Sequence, residues 1–238
     1  MKIISHRGAS AYAPENTLEA FKLAVKMGSK DFEFDVHLTK DKIPVVHHDF
    51  HLLRTAGMKA EIADLNYVDL KKINVARHFS SDYKFQYVPR VEEVIEIISP
   101  VADFINFEIK NDNNAYEGIE KIITDLIRSK KDIFEKVVIS CFDYPSSKRL
   151  RACDKEVKMG YLGHSLTNLL LPIALKKAKA IDASSFHINH KIAFKMNVAK
   201  LHKAGLKVYA YTVDDFKDVL KMKESGVDGI FTNYPDIV

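Results

Sequence analysis

The feature that most constrains this chain is an alternation in which short runs of β-branched and aromatic residues repeatedly give way to longer runs with helical periodicity. That pattern predicts parallel βα units, because parallel neighbours need a crossover of about a dozen residues or more. Nine runs read as strands: Ile3 to Ser5, Phe32 to Leu38, Ile43 to His47, Phe104 to Ile109, Val137 to Cys141, Val157 to Leu162, Ile181 to Phe186, Val208 to Val213 and Val227 to Thr232. Between the first two, Asn16 or Thr17 caps a helix carrying Leu18, Phe21, Ala24 and Val25 on one face, and Gly28 ends it. A helix over Asn189 to Ala204 closes the same way at Gly205. Further helical patterns cover Arg90 to Ile98, Ala115 to Arg128, Pro145 to Ala152, Leu166 to Ala178 and Asp215 to Ser225.

Only about four residues separate the second and third strands, too few for a parallel crossover, so those two form an antiparallel hairpin. Eight parallel strands remain. Eight such units within 238 residues favour a closed (β/α)8 TIM barrel, an α/β fold, over an open doubly wound sheet. Residues 1–238 then form one barrel domain, with 50–90 as an inserted subdomain after the second barrel strand. With 47% of residues apolar the chain can bury a sizeable core, which excludes disorder, and its two cysteines, Cys141 and Cys153, exclude a disulfide-stapled miniprotein. A net charge of +4, spread over basic residues with acidic ones between them, carries no nucleic-acid footprint. The apolar stretch Leu166 to Leu175, interrupted by Thr167, Asn168 and Pro172, falls short of the roughly 20 residues of a spanning helix. The start of the chain shows no secretory signal, and the expectation is a cytoplasmic protein without stable membrane insertion.

In such barrels the reacting groups sit where the parallel strands end, and several chemical side chains fall there. Along the second strand Glu33 and Asp35 share one face by the period of two. The hairpin adds His48: a two-residue loop at Lys40-Asp41 sets it opposite Glu33, one at Asp41-Lys42 sets it opposite Asp35, and an odd-length loop sends it to the other face. Asn106, Glu108 and Lys110 alternate with apolar residues along the fourth strand, and Ser5-His6-Arg7-Gly8 closes the first, with Gly8 permitting a tight turn. Three carboxylates, two imidazoles and two fixed cations therefore converge on one barrel end, where charge is costly unless paired or bound to an ion. Three carboxylates suit a hard divalent cation, Mg²⁺ or Ca²⁺, rather than Zn²⁺. Counting −3 for the carboxylates, +2 for the metal and +2 for Arg7 and Lys110 leaves +1, which a phosphodiester monoanion neutralises. Adjacent strand residues face opposite sides, so His47 and His51 read as packed or surface groups and not as a zinc cluster; His187 and His190 are read likewise.

The ordered set of motifs resembles the glycerophosphodiester phosphodiesterases, which belong to the phosphatidylinositol-phospholipase-C-like barrels. The resemblance runs nearly end to end. Its landmarks are His6-Arg7-Gly8, Pro14-Glu15-Asn16-Thr17, Glu33-Phe34-Asp35-Val36, Leu38-Thr39-Lys40-Asp41, Val45-Val46-His47-His48-Asp49, Arg54-Thr55, Glu108-Ile109-Lys110, Ser140-Cys141-Phe142-Asp143, Gly226-Val227-Asp228-Gly229-Ile230 and Thr232-Asn233-Tyr234-Pro235-Asp236. It implies metal-dependent hydrolysis of small-molecule glycerophosphodiesters to glycerol 3-phosphate and an alcohol. Glu33, Asp35 and Glu108 would hold the metal, with Glu15 near its shell. His6 and His48 would form the acid and base pair, Arg7 and Lys110 would contact phosphate, and the glycerol 2-hydroxyl would attack first to form a cyclic phosphate. Tyr211-Thr212-Val213-Asp214 replaces the family's usual Trp-Thr-Val-Asn and Pro89-Arg90-Val91-Glu92-Glu93 its Pro-Thr-Leu-Glu-Glu, which leaves headgroup preference open. Phe142 and Tyr211 are assigned to the substrate side. Two other chemistries remain open at this point: a phospholipase-D-like transfer ending at the cyclic phosphate, and a Schiff-base lyase using Lys110. A phosphodiester-binding barrel without turnover is the reading outside enzymology.

Overall fold

Closure of the sheet is what brings distant strand ends together. In the computed structural model, which describes residues 1–80, 83–163 and 170–238, β1 (Lys2–His6) pairs in parallel with both β2 (Asp31–Leu38) and β9 (Gly229–Thr232). The remaining strands are β3 (Pro44–Val46), β4 (Phe104–Ile109), β5 (Val137–Cys141), β6 (Lys158–Leu162), β7 (Ser185–Asn189) and β8 (Lys207–Tyr211). The order runs β1-β9-β8-β7-β6-β5-β4-β2 around an eight-stranded parallel barrel, and β3 adds to β2 in antiparallel. Helices α1 (Leu18–Lys26), α2 (Val91–Ile98), α3 (Ile119–Ser129), α4 (Tyr144–Cys153), α5 (Leu171–Ala180), α6 (Lys195–Lys203) and α7 (Phe216–Ser225) alternate with the strands. The fold is the expected TIM barrel.

Between Thr17 and Asn16 the cap goes to Thr17, whose hydroxyl accepts from Ala20 N at 3.3 Å. Asn16 takes a left-handed φ of 58° and serves the site instead. Several predicted boundaries move, among them the start of α3, at Ile119 instead of Ala115. Helix α5 runs through Ala180, and Asp182, at φ 48°, turns the chain, so β7 begins at Ser185 instead of Ile181. Asn189 ends that strand, its side chain accepting from Lys191 N in a short 3-10 turn, so α6 starts only at Lys195. Of the helix predicted from Leu166, residues 166–169 lie outside the described residues.

Outward-facing Phe32, Phe34, Val36 and Phe107 pack beneath the helices, with Phe34 4.5 Å from Phe107 and 5.9 Å from Phe21 between ring centroids. Inside, the floor is plugged by Ile4, Phe104, Val138, Tyr209 and Phe231. The apolar plug excludes water from below and leaves the polar upper layer open only at the mouth. The segment that follows β3 makes short turns over Leu53–Ala56, Ile62–Asp64 and Tyr67–Leu70. Leu52, Ile62, Leu70, Val75 and Val88 pack with Val45 into an apolar cluster of their own.

Candidate active site

The hairpin takes the odd register, Val36 opposite Val46 and Leu38 opposite Pro44, which neither two-residue loop predicts. Lys42 turns at φ 62° with no glycine present. Continued as a strand, that register would send His48 to the wrong face. Pairing stops at Val46; His47 N still donates to Asp35 O at 3.1 Å, and the chain then swings over the mouth. His48 thereby joins His6, Arg7, Glu33, Glu108, Lys110, Phe142 and Tyr211 in lining one cleft, while Asp35 lies buried beneath them. All nine residues singled out from the sequence thus meet at one strand end.

Oxygens of Glu33, Asp35 and Glu108 lie within 4.8 Å of one another. Arg7, held at a left-handed φ of 59°, donates its backbone N–H to Glu33 Oε2 at 3.0 Å and sets its Nε 3.0 Å from Asp35 Oδ2. Lys110 Nζ approaches Asp35 Oδ1 at 2.9 Å and pairs with Glu108. Asn16 donates to Asp35 Oδ2 at 2.8 Å. The two acids of β2 differ sharply. Burial, then the neighbouring Asp35 and Glu108 charges, drive the Glu33 pKa well up, whereas at Asp35 the opposing burial is outweighed by Lys110 and Arg7 and the pKa falls well down. Glu33 Oε1 is buried without a hydrogen-bond partner. An orphaned oxygen among three crowded, oxygen-only donors is a fit for a hard divalent cation. Lys110 is a poor Schiff-base nucleophile: burial works against its charge, but Asp35 and Glu108 prevail and raise its pKa, keeping the amine protonated.

Both histidines are oriented by partners the sequence reading assigned no role. His6 Nδ1 lies 2.7 Å from Asn233 Oδ1, and Asn233 is itself fixed by Asp214, which accepts from its N–H at 2.8 Å and from its Nδ2 at 2.6 Å. Since Asn233 Oδ1 also accepts from Ser10 Oγ, His6 Nδ1 carries the proton and Nε2 faces Glu33 Oε2 at 3.9 Å. Burial, and after it the Arg7 charge, lowers the His6 pKa to about 3. His48 Nδ1 lies 2.6 Å from Asp49 Oδ1, and Arg54 secures Asp49 from Nε at 2.8 Å. Although burial opposes it, hydrogen bonds from Arg54 and His48 hold the Asp49 pKa below the usual carboxylate range. His37 Nε2 donates to the His48 carbonyl at 3.1 Å, and Tyr116 OH donates to His37 Nδ1 at 2.8 Å. Glu15, expected near the metal shell, bridges Arg7 and Arg54 at 3.1 and 2.7 Å, outside the carboxylate trio and joined to Asp35 through Arg7. His47, read as a packed or surface group, is buried and bonded to Asp49 O and Thr55 Oγ1, whereas His187 lines the cleft.

Comparison with known proteins agrees with this geometry. Residues 6–237 match the family model of the glycerophosphoryl diester phosphodiesterases. A glycerophosphodiester phosphodiesterase of Bacillus altitudinis is 34% identical, over 99% of this chain and 95% of its own length. One from Caldanaerobacter subterraneus subsp. tengcongensis is 32% identical, over 98% and 94%. The solved structure of an Oleispira antarctica phosphodiesterase in complex with the product sn-glycerol-3-phosphate is similar, with a TM-score of 0.84 and 29% identity, covering 99% of this chain and 94% of that one.

Proposed function

The chain belongs to the glycerophosphoryl diester phosphodiesterase family and acts as a glycerophosphodiester phosphodiesterase, and on that premise we propose how its own residues divide the reaction. Glu33, Asp35 and Glu108 hold one Mg²⁺ or Ca²⁺, Arg7 and Lys110 contact the phosphate, and His6 and His48 move the protons. The products are glycerol 3-phosphate, as found with the Oleispira relative, and a free alcohol. When bound, a divalent cation supplies charge stabilisation at the phosphoryl oxygens.

The observation that carries this reading is the oriented pair of imidazoles flanking the carboxylate trio in one cleft. With Nδ1 committed to Asn233, a neutral His6 offers the Nε2 lone pair and serves as base, taking the proton of the glycerol 2-hydroxyl as its oxygen bonds to phosphorus. His48, its Nδ1 held by the Asp49 carboxylate, gives a proton from Nε2 to the departing alcohol as the phosphorus–oxygen bond breaks. The roles then reverse. His48 takes a proton from water as the water oxygen opens the cyclic phosphate, and His6 returns its proton to the 2-oxygen. Phe142 and Tyr211, whose rings stand 6.2 Å apart, line the alcohol side.

Incubating the protein with glycerophosphocholine, glycerophosphoethanolamine, glycerophosphoglycerol and glycerophosphoinositol, each with and without EDTA, tests the proposal. Glycerol 3-phosphate in the presence of metal and its loss on chelation are expected. Chelator-insensitive turnover would overturn the metal assignment, and a cyclic phosphate accumulating by phosphorus NMR would replace hydrolysis with transfer.

A further inference from the structure

Glu15 takes no part in the proton transfers, yet arginines engage both of its carboxylate oxygens. Oε1 accepts from Arg7 Nη1 at 3.1 Å and from Arg54 Nη2 at 2.7 Å, and Oε2 accepts from Arg54 Nη1 at 2.9 Å. The next residue anchors the loop that presents it: Asn16 donates its backbone N–H to Arg7 O at 3.0 Å and its side chain to Asp35. Arg54 comes from the other side, in the inserted segment. It stands in the turn Leu53–Ala56, which Leu52 and Ala56 seat in that segment's apolar cluster. Its fork holds two carboxylates, with both Nη atoms on Glu15 and Nε on Asp49 at 2.8 Å.

These contacts join into one file. It runs Asp35, Arg7, Glu15, Arg54, Asp49, His48, with successive partners 2.6–3.1 Å apart. Isolated exposed ion pairs are worth little, but a network with bidentate arginine geometry is the exception. Burial raises the Glu15 pKa, but hydrogen bonds from Arg54 and the Arg7 charge outweigh it and hold the pKa at about 2, so the link stays ionised. One end of the file needs such support. His48 follows a chain that has left the β ladder after Val46, so strand pairing does not set how far its ring stands from the phosphate. Arg7, at the other end, is fixed by the acids of β2.

We infer, on the roles proposed for His48 and Arg7, that Glu15 is a positioning residue for departure of the alcohol: by joining Arg54 to Arg7 it sets the His48 ring, through Asp49, at a fixed distance from the phosphate. Two leaving groups test this. Choline leaves glycerophosphocholine with a proton from His48, whereas p-nitrophenol leaves its glycerol 3-phosphate diester as the anion and needs none. In Glu15→Gln, kcat/KM for choline release should fall by about 10- to 100-fold, while that for p-nitrophenol release stays near the parental value. Arg54→Lys, which keeps the charge but not the fork, should show the same split. At a side chain 41% exposed, it carries the test should Glu15→Gln fail to fold. His48→Ala reads the acid assignment itself: the split is expected there too, and His48→Ala/Glu15→Gln should lose nothing further. Equal loss on both substrates in His48→Ala would remove the acid assignment and the inference with it. A split in His48→Ala that Glu15→Gln and Arg54→Lys do not share, whether they lose both activities alike or neither, would overturn the inference alone, as would further loss in the double variant.

Discussion

A histidine works as a base near neutral pH only when its ring is aimed and kept neutral, and here both conditions rest on neighbours with no catalytic chemistry of their own. Asn233 fixes the tautomer of His6, and burial keeps the ring neutral. His6→Ala and His48→Ala should each lower kcat by about a hundredfold or more, as loss of a proton-transfer group does, with the thermal unfolding transition unchanged; near-parental turnover in both would remove the mechanism. Asp49→Asn keeps the hydrogen bond but not the charge, so kcat should fall by about 10- to 100-fold, with Arg54→Ala in the same direction through Asp49. Stopped assays at saturating substrate separate these kcat effects from changes in KM. Glu33, Asp35, Glu108 and Lys110 were legible in the sequence because strand alternation is local and charges stand out against it. Asn233 was not, since an uncharged side chain meeting a residue 227 positions away leaves no local trace.

Strands and turns set how far such reasoning reaches. The hairpin was recognisable from its short loop, but its register was not, because Lys42 reaches a left-handed φ without the glycine that would have marked the turn type. His48 arrives at the mouth by leaving the ladder after Val46, not by alternation along it. The turn after β1 was better marked. Gly8 has φ +81°, and a Cβ there would lie 2.7 Å from the backbone carbon of Ala20, so α1 presses directly on the loop that carries His6 and Arg7. Gly28 offers a control, with φ +87° and nothing within 4 Å of its missing Cβ. Urea unfolding should therefore show Gly28→Ala costing about 1 kcal/mol, the backbone strain alone. Gly8→Ala should cost more than Gly28→Ala, by about 1–3 kcal/mol for the overpacking, and lower activity as well. Equal losses would mean that α1 yields freely and does not fix the loop.

At the scale of the whole molecule, an upper barrel layer built from polar groups makes stability depend on pH. The eight-stranded closure was readable from strand count and spacing, but nothing in composition tells which histidines it seals from water. His37, His47 and His187 are all buried, and burial lowers their pKa values to about 3, 4 and 3 from an ordinary 6.5. Such groups remain neutral in the fold while the unfolded chain binds their protons, so the stability they contribute is complete above about pH 6.5 and is lost as pH falls towards 4. With His6, lowered in the same way, four protons bound only by the unfolded state correspond to a slope approaching about 5 kcal/mol per pH unit near pH 5. Glu33, its pKa raised, opposes this by at most one proton in the same window. Since a domain commonly has only about 5–15 kcal/mol in hand, urea midpoints should drop steeply between about pH 7 and pH 5. His187, whose lowering comes from burial alone and whose ring lines the cleft above the apolar plug, isolates the effect. In His187→Gln the slope should shrink by about 1.4 kcal/mol per pH unit. A pH-independent midpoint in the parent, or an unchanged slope in the variant, would show that these rings take up protons inside the fold and that the barrel interior is wetter than its packing implies.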